Sequence, residues 1–162
     1  MKKILFIILF IGISLLIIAC NKNDTRVDIR MKFDVSNLTN DEFSYVGTSE
    51  LENAQKEDFK KINFTLKVTN PDDITKRNIV FPELVEIKER AKDRFWYSSG
   101  YNDDSKLKSA EHGYEFILYA KGLDNHDINE MFGSLKAKVT WYSADGVYIE
   151  KIVPVSDVIQ FN

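Results

Sequence analysis

Few residues of this chain belong to the types that most often carry chemistry. Its 162 residues include one cysteine, Cys20, and two histidines, His112 and His126. We interpret the stretch AEHGYE around His112 as a turn, and neither histidine has a sequence neighbour that suggests a catalytic triad. No serine stands in the strand–turn–helix arrangement of a hydrolase nucleophile. The sequence therefore predicts no catalytic residues, and a small hydrolase or metal-dependent enzyme is the least favoured function.

One acidic cluster has the composition of a metal site. His126 lies in DNHDINE beside Asp124, Asp127 and Glu130, and carboxylates with one imidazole suit a divalent cation. The same residue types also begin helices, and here a turn meets a predicted short helix. We expect Asp127 to cap that helix and Glu130, three residues on, to complete a capping box. The prediction is therefore a helix cap, with no metal or other cofactor.

Aromatic side chains give the stronger indication of a binding surface. The run FWY at 95–97 lies on a predicted strand, where side chains alternate between faces, so at least one ring points away from the core. Exposed rings offer a large contact area at a small entropic cost. The alternative is that the segment 40–59 covers them. The candidate binding surface consists of Trp96, Tyr97, Tyr142 and Tyr148.

The first twenty residues have the layout of a secretory signal. Lys2 and Lys3 precede the uncharged, mostly apolar residues 4–19, and the polar stretch NKNDTR follows Cys20. This order of charged, apolar and polar segments is typical of such signals. The apolar stretch is shorter than the roughly 20 residues of a spanning helix. We therefore expect a cleaved signal, with an uncleaved signal anchor as the alternative.

The end of this segment, IIAC at 17–20, resembles the lipobox of bacterial lipoproteins. The resemblance implies that a diacylglycerol is attached to the Cys20 thiol and that a peptidase cuts before this residue. Two or more acyl chains give stable membrane attachment, whereas one is marginal. The expected location is therefore the cell membrane, with the folded part facing outside the cytoplasm. The expected organisation is a signal peptide at 1–19, a lipidated cysteine with a polar tether at 20–26, and one domain at 27–162.

Charge narrows the range of partners. The chain carries a net charge of −3, and loss of Lys2 and Lys3 with the signal makes it −5. No basic block is present, which argues against nucleic acid as a partner. It also argues against electrostatic attachment to anionic lipids. The membrane contact that we expect is the lipid anchor alone.

Period-two alternation of apolar residues predicts most of the strands. Apolar side chains occupy every second position in 27–35 and again in 62–68. The stretch YEFILYA at 114–120 is so rich in apolar residues that we expect both of its faces to be covered. Further along, Pro82 interrupts an apolar run that we expect to resume as a strand at 84–87. We interpret the polar residues 99–113 as a loop.

The register of the last predicted hairpin follows from comparing the residues that two different loop lengths would set opposite each other. A three-residue loop at 144–146 sets Trp141 opposite Ile149, and Gly146 then takes the left-handed position of a bulge. A four-residue loop would place a carboxylate on the apolar face, so we prefer the shorter loop. The preferred register also sets Tyr142 opposite Tyr148 on the outer face.

About seven short strands with one short helical turn favour an all-β fold, a two-sheet sandwich of immunoglobulin type. A closed barrel is the alternative. The stretches FTLKVTNPDD and EHGYEFILYA resemble the immunoglobulin-like, telokin-like domains carried by many small bacterial lipoproteins. In the second stretch, Gly113 is the turn glycine that leads the strand. The resemblance implies an extracytoplasmic location and a binding role, and it supplies no catalytic residues.

These expectations combine into a lipid-anchored, extracytoplasmic binding module. Its partner would be another envelope protein or a cell-wall glycan, recognised through strand-face aromatics or loops. The first alternative is an accessory subunit of an envelope complex, which would pair through an exposed sheet edge.

Overall fold

The computed structural model describes residues 27–70, 74–106 and 108–162. The predicted signal peptide, Cys20 and the polar tether lie outside these residues, as does most of the predicted turn NPDD. The described strands are β1 (Asp28–Asn37), β2 (Phe59–Thr69), β3 (Thr75–Val80), β4 (Phe95–Lys106), β5 (Ser109–Tyr119), β6 (Lys136–Tyr142), β7 (Tyr148–Pro154) and β8 (Ile159–Phe161). The described α-helices are α1 (Asn40–Ser44), α2 (Leu84–Ala91) and α3 (Asn125–Phe132).

The eight described strands form two sheets. The larger sheet has the order β4-β5-β2-β1-β8, and the smaller has the order β3-β6-β7. Neighbouring strands are antiparallel except β1 and β8, which run parallel. The chain thus has a mostly-β, two-sheet architecture that is compatible with a sandwich, which confirms the fold class at this level.

Phenylalanine rings fill the centre of the main core. Phe33 of β1 lies 5.2 Å from Phe64 of β2 and 5.4 Å from Phe132 of α3, measured between ring centroids. Phe116 of β5 completes the group, 6.4 Å from Phe33. The alternation predicted for β1 and β2 is confirmed, because the side chains at 62, 64, 66 and 68 are fully buried. The smaller sheet contributes Val139 and Trp141, among others, to the same cluster.

The outer face of the larger sheet carries a second apolar cluster at one end. Leu38, Val46 and Phe59 are buried there, and Ile117 and Tyr119 of β5 pack against them. The side chains of β5 that alternate with these, including Phe116, lie in the main core. Both faces of β5 are therefore covered at residues 116–119, within the stretch 114–120 for which this was predicted, whereas Glu115 is exposed.

The predicted register of the β6–β7 hairpin is confirmed. Trp141 pairs with Ile149, and Gly146 in the connecting loop has a φ of +76°. Lys151 pairs with Val139, which places a lysine on the apolar side of the sheet. Its side chain reaches solvent because β7 is an edge strand of the smaller sheet.

The prediction of a nearly helix-free domain was wrong. Residues 84–87, predicted as a resumed strand, belong instead to α2. Pro82 favours an extended residue before it and ends β3, and Ile87 and Ala91 then lie one turn apart on the buried side of a helix. An apolar run this short fits a strand and a helix equally well.

The prediction of a loop at 99–113 was also wrong. These residues form much of the long hairpin of β4 and β5, and His112 and Gly113 lie inside β5 rather than in a turn. Every residue of β5 pairs with a residue of β2, from Ser109 opposite Thr69 to Tyr119 opposite Phe59. This long ladder supplies the backbone hydrogen bonds that hold a polar sequence in an extended conformation.

The short helix near residue 127 exists, but it begins three residues earlier than predicted. Asp124 is the N-cap and its side chain accepts a hydrogen bond from the Asp127 amide at 2.9 Å. Asp127 accepts one in return from the Asp124 amide at 2.9 Å. The capping box therefore runs from Asp124 to Asp127, not from Asp127 to Glu130.

Candidate functional site

Tyr142 and Tyr148 form a ring pair on the outer face of the smaller sheet. They are directly opposite in the β6–β7 ladder, with ring centroids 5.5 Å apart and ring planes at 65°, an edge-to-face arrangement. The Lys76 ammonium lies 5.2 Å from the centroid of the Tyr142 ring, within range of a cation–π contact. Tyr148 exposes 53% of its surface. We call this surface the tyrosine face; besides the two tyrosines it comprises Lys138, Glu150, Val80 and Ile152.

The rest of the tyrosine face mixes charged and apolar groups. The Tyr148 hydroxyl donates to Glu150 Oε2 at 3.3 Å, and Lys138 Nζ lies 3.7 Å from the same oxygen. Val80 of β3 and Ile152 of β7 flank Lys138 in the ladder and are both exposed. The tyrosine face therefore combines aromatic rings, methyl groups and both signs of charge within a few residues.

Trp96 does not lie on this face. It belongs to the second apolar cluster on the outer side of the larger sheet, 6.1 Å from Phe59 and 6.5 Å from Tyr119 between ring centroids. Trp96 is half-buried, and Phe43 of α1 packs into the same cluster. Residues from the segment 40–59 thus share its surroundings, as the alternative interpretation expected.

Tyr97 cannot be assigned to either surface. Its backbone pairs with Ile117, and its side chain lies outside the part that the structure describes. The four aromatic residues selected from the sequence are therefore divided: Tyr142 and Tyr148 come together, and Trp96 lies on the other sheet.

A charged cleft lies next to the second cluster. Lys61 Nζ contacts Glu42 Oε1 at 2.8 Å and Glu115 Oε2 at 3.0 Å. The hydrogen bond from Lys61, followed by those from Thr39, lowers the pKa of Glu42 to about 2. The three charged side chains, with Leu38 and the exposed Tyr45, line a cleft of about 180 Å³. Its charges are already paired, so the arrangement favours a structural role.

A second cleft contains a residue that the sequence did not indicate as functional. His112 is only 8% exposed, and its Nε2 atom is buried without a hydrogen-bond partner among the described residues. It faces inward on β5, opposite Leu66 of β2 and Asn102 of β4. It lines a cleft of about 270 Å³ between the end of β3 and the β4–β5 hairpin. We call this the His112 cleft.

The walls of the His112 cleft are largely aromatic. Phe81, just after β3, stacks on Tyr114 with centroids 5.6 Å apart and lies 5.8 Å from the His112 ring. Asn102 and Glu83 add an amide and a carboxylate to the lining. Burial lowers the pKa of His112, Asp104 opposes that shift, and Arg77 adds to it. The imidazole is therefore neutral near pH 7.

The signal that could have found His112 is present in the sequence. The apolar alternation at 114, 116 and 118 continues backwards through His112 to Ala110, which is also buried. The alternation was missed because Gly113 was interpreted as the glycine of a turn. A strand that extended to residue 109 would have placed an imidazole on the inner face.

The cluster around His126 is used for helix capping. Asp124 and Asp127 bond each other's amides, and His126 Nε2 lies 3.4 Å from Glu130 Oε1 on the exposed side of α3. Among residues 27–70, 74–106 and 108–162, no group of three or more histidine, cysteine, aspartate or glutamate side chains is placed to hold a metal ion.

Comparison with known proteins finds no matching family model, no matching curated protein and no matching solved structure. Within the described part of the chain, no helix has the length and apolar character needed to cross a membrane.

Proposed function

We propose that this protein is a lipid-anchored, extracytoplasmic binding module. In this proposal Cys20 carries the diacylglycerol, the residues after it form a tether, and an immunoglobulin-like domain presents the tyrosine face to another envelope protein. The observation that carries the binding role is the Tyr142–Tyr148 pair on the β6–β7 hairpin, in which the Tyr148 ring is exposed and the Tyr142 ring is half-buried.

The composition of the tyrosine face favours a protein partner over a glycan. Tyrosine is enriched among the residues that contribute most to protein–protein binding. Here the Lys138–Glu150 pair lies between the tyrosines and the exposed Val80 and Ile152, and protein interfaces combine apolar and polar side chains.

Site-specific photo-crosslinking in cells tests the tyrosine face. A photoreactive phenylalanine analogue replaces Tyr148 in the full chain, and we expect one discrete cross-linked band. The matched control places the analogue at Tyr45, which is 89% exposed but lies near α1, away from the tyrosine face. We expect no band from Tyr45, and loss of the Tyr148 band when Tyr142→Ala is added. Equal cross-linking from both positions would contradict a specific surface.

The lipid anchor has its own test. We expect Cys20→Ala to abolish labelling by a fatty-acid analogue and to remove the protein from its membrane location. Cys20→Ser is a second variant that preserves size and polarity but has no thiol to alkylate. If either variant retained full acyl labelling, the attachment at Cys20 would be wrong.

The accessory-subunit function is favoured by one observation, the open edge of β7. Among the described strands, β7 pairs only with β6. Ser143 donates to the Val147 carbonyl at 2.9 Å, and in an antiparallel ladder this places the N–H of Ile152 on the side away from β6. A partner strand that pairs with this edge would need that donor.

Ile152→Pro separates the two functions. Proline is tolerated on an edge strand where the N–H faces solvent, so the fold should survive. If the Tyr148 cross-link persists in this variant, binding occurs through the face, and if it disappears while Tyr142→Ala leaves it intact, binding occurs through the edge.

A further inference from the structure

We propose that the His112 cleft binds a single uncharged sugar ring, which would be either a free saccharide or the end of a glycan chain. The proposal concerns a surface distinct from the tyrosine face and does not depend on the protein partner proposed above.

The first support is the unpartnered Nε2 atom of His112. Buried polar atoms in proteins are nearly always hydrogen-bonded, and leaving one unpaired lowers stability. Nε2 has no partner among the described residues, while its ring lines the cleft. A ligand hydroxyl that displaced the side chains now shielding this atom from solvent would supply the missing hydrogen bond.

The second support is the combination of aromatic and polar groups. A sugar ring has apolar C–H faces and a rim of hydroxyls, so it needs an aromatic wall and several hydrogen-bonding groups. The stacked rings of Phe81 and Tyr114 supply the wall. Asn102, Glu83 and His112 line the same cleft, and between them they can donate to hydroxyls and accept from them.

The third support is the size and charge of the cleft. Its volume is about 270 Å³, just below the range of roughly 300–1,000 Å³ that is usual for drug-sized ligands, so it suits one ring. Arg77 pairs with Asp104 nearby, and Glu83 adds one negative charge. These charges do not favour an anionic ligand.

Imidazole NMR tests the proposal directly, because the chain has only two histidines. The full chain is labelled with ¹⁵N-histidine and kept in a zwitterionic detergent, since sugar-headed detergents would compete. Glucose, N-acetylglucosamine and the β-1,4-linked tetramer of N-acetylglucosamine are titrated in turn. We expect at least one of them to shift the His112 ring nitrogens at millimolar concentration and to leave those of the exposed His126 unchanged. Tighter binding of the tetramer than of its monomer indicates a glycan end, and equal binding indicates a free saccharide.

Variants show whether the shift reports this cleft. Asn102→Ala changes an exposed residue at the rim and is expected to fold; we expect the dissociation constant to rise about tenfold, the cost of one hydrogen bond. Tyr148→Ala, on the tyrosine face, should change nothing. The proposal is overturned if none of the three sugars moves the His112 signals, if His126 shifts in parallel, or if Asn102→Ala binds as tightly as the wild type.

Discussion

Tyr114 lies across the β4–β5 ladder from Gly100, and its ring fills the space that a side chain at Gly100 would occupy. A Cβ atom at Gly100 would lie 2.6 Å from Cδ1 of Tyr114. The next pair is reversed, with the Tyr101 ring over Gly113 and 2.7 Å from a Cβ there. Pairs of this kind let an aromatic ring cover the exposed backbone of a glycine. The position of the Tyr114 ring, one wall of the His112 cleft, therefore depends on Gly100 having no side chain.

Replacing this glycine should destabilise the domain. Gly100→Ala forces the Tyr114 ring to move against Phe81, and we expect the free energy of unfolding to fall by about 1–3 kcal/mol, the usual cost of overpacking. Urea denaturation measures the change. Gly47→Ala is the matched control, since a Cβ at Gly47 meets no atom within 4 Å, and its effect should stay within about 0.5 kcal/mol. Equal effects of the two substitutions would show that the ring contact is unimportant.

The buried imidazole predicts a particular dependence of stability on pH. Burial lowers the pKa of His112 in the folded state, so below about pH 6.5 the unfolded chain binds the proton more strongly. Stability should therefore decrease as the pH falls from that value through the lower pKa of the folded state. The charged groups that influence this titration are Asp104 on β4, which raises the pKa, and Arg77 on β3, which lowers it.

Comparison with a variant isolates this contribution. We expect His112→Leu to be as stable as the wild type or more stable near pH 7, because it removes an unpaired buried polar atom. Its loss of stability between pH 7 and pH 5 should be smaller than that of the wild type. His126→Gln is the control, since it removes the exposed imidazole on α3 and keeps the buried one, so the loss of stability attributed to His112 should persist in it. Urea midpoints measured across this pH range provide the test, and identical profiles for all three proteins would contradict it.

The Lys61–Glu42 ion pair predicts a second pH effect, at more acidic values. The pKa of Glu42 is lowered to about 2, so its contribution to stability is present above its ordinary value and is lost as the pH falls towards 2. Lys61→Met should cost about 1 kcal/mol at neutral pH, since both side chains are partly exposed and screened. The difference between variant and wild type should shrink from pH 5 to pH 2.

The matched control for this pair lies on the same strand. Lys67 is more exposed than Lys61 and is 3.8 Å from Glu111, so Lys67→Met should change stability by much less at any pH. Unfolding midpoints at pH 7, pH 4 and pH 2 distinguish the two lysines. If Lys67→Met lowered stability as much as Lys61→Met does, the short contacts of Lys61 would contribute no more than an exposed ion pair.

The parts of the fold that the sequence predicted are those with strong local periodicity. In β1 and β2, apolar and polar residues alternate over many positions. In the β6–β7 hairpin, only one register keeps a carboxylate off the apolar face that carries Trp141. The α2 helix was missed because two apolar residues at 84 and 85 fit either kind of element. Residues 99–106 were missed because this polar strand is held by its pairing with β5, which no local pattern records. Residues 109–113 were missed because Gly113 was interpreted as a turn glycine, although the apolar alternation of β5 continues through them.

The candidate site was predictable only in part for the same reason. The opposition of Tyr142 and Tyr148 followed from hairpin register, which is local. The covering of Trp96 depended on which segment folds over the larger sheet, and the His112 cleft depends on how the end of β3 approaches β4 and β5. These are tertiary arrangements, and a single sequence does not record them.

The capping box of α3 gives a prediction that separates the observed cap from the one expected from the sequence. Asp124 accepts from the Asp127 amide, and this bond holds the pKa of Asp124 below its ordinary value. Asp124→Ala should therefore lower the urea midpoint, because an orphan amide at the start of the helix loses its acceptor. Asp124→Asn should stay close to the wild type, since asparagine caps helices about as well as aspartate. Glu130→Ala is the control: Glu130 contacts His126 on the exposed side of α3, and its removal should leave the midpoint unchanged. If Glu130→Ala were the more damaging substitution, the functional cap would be Asp127 with Glu130 rather than Asp124 with Asp127.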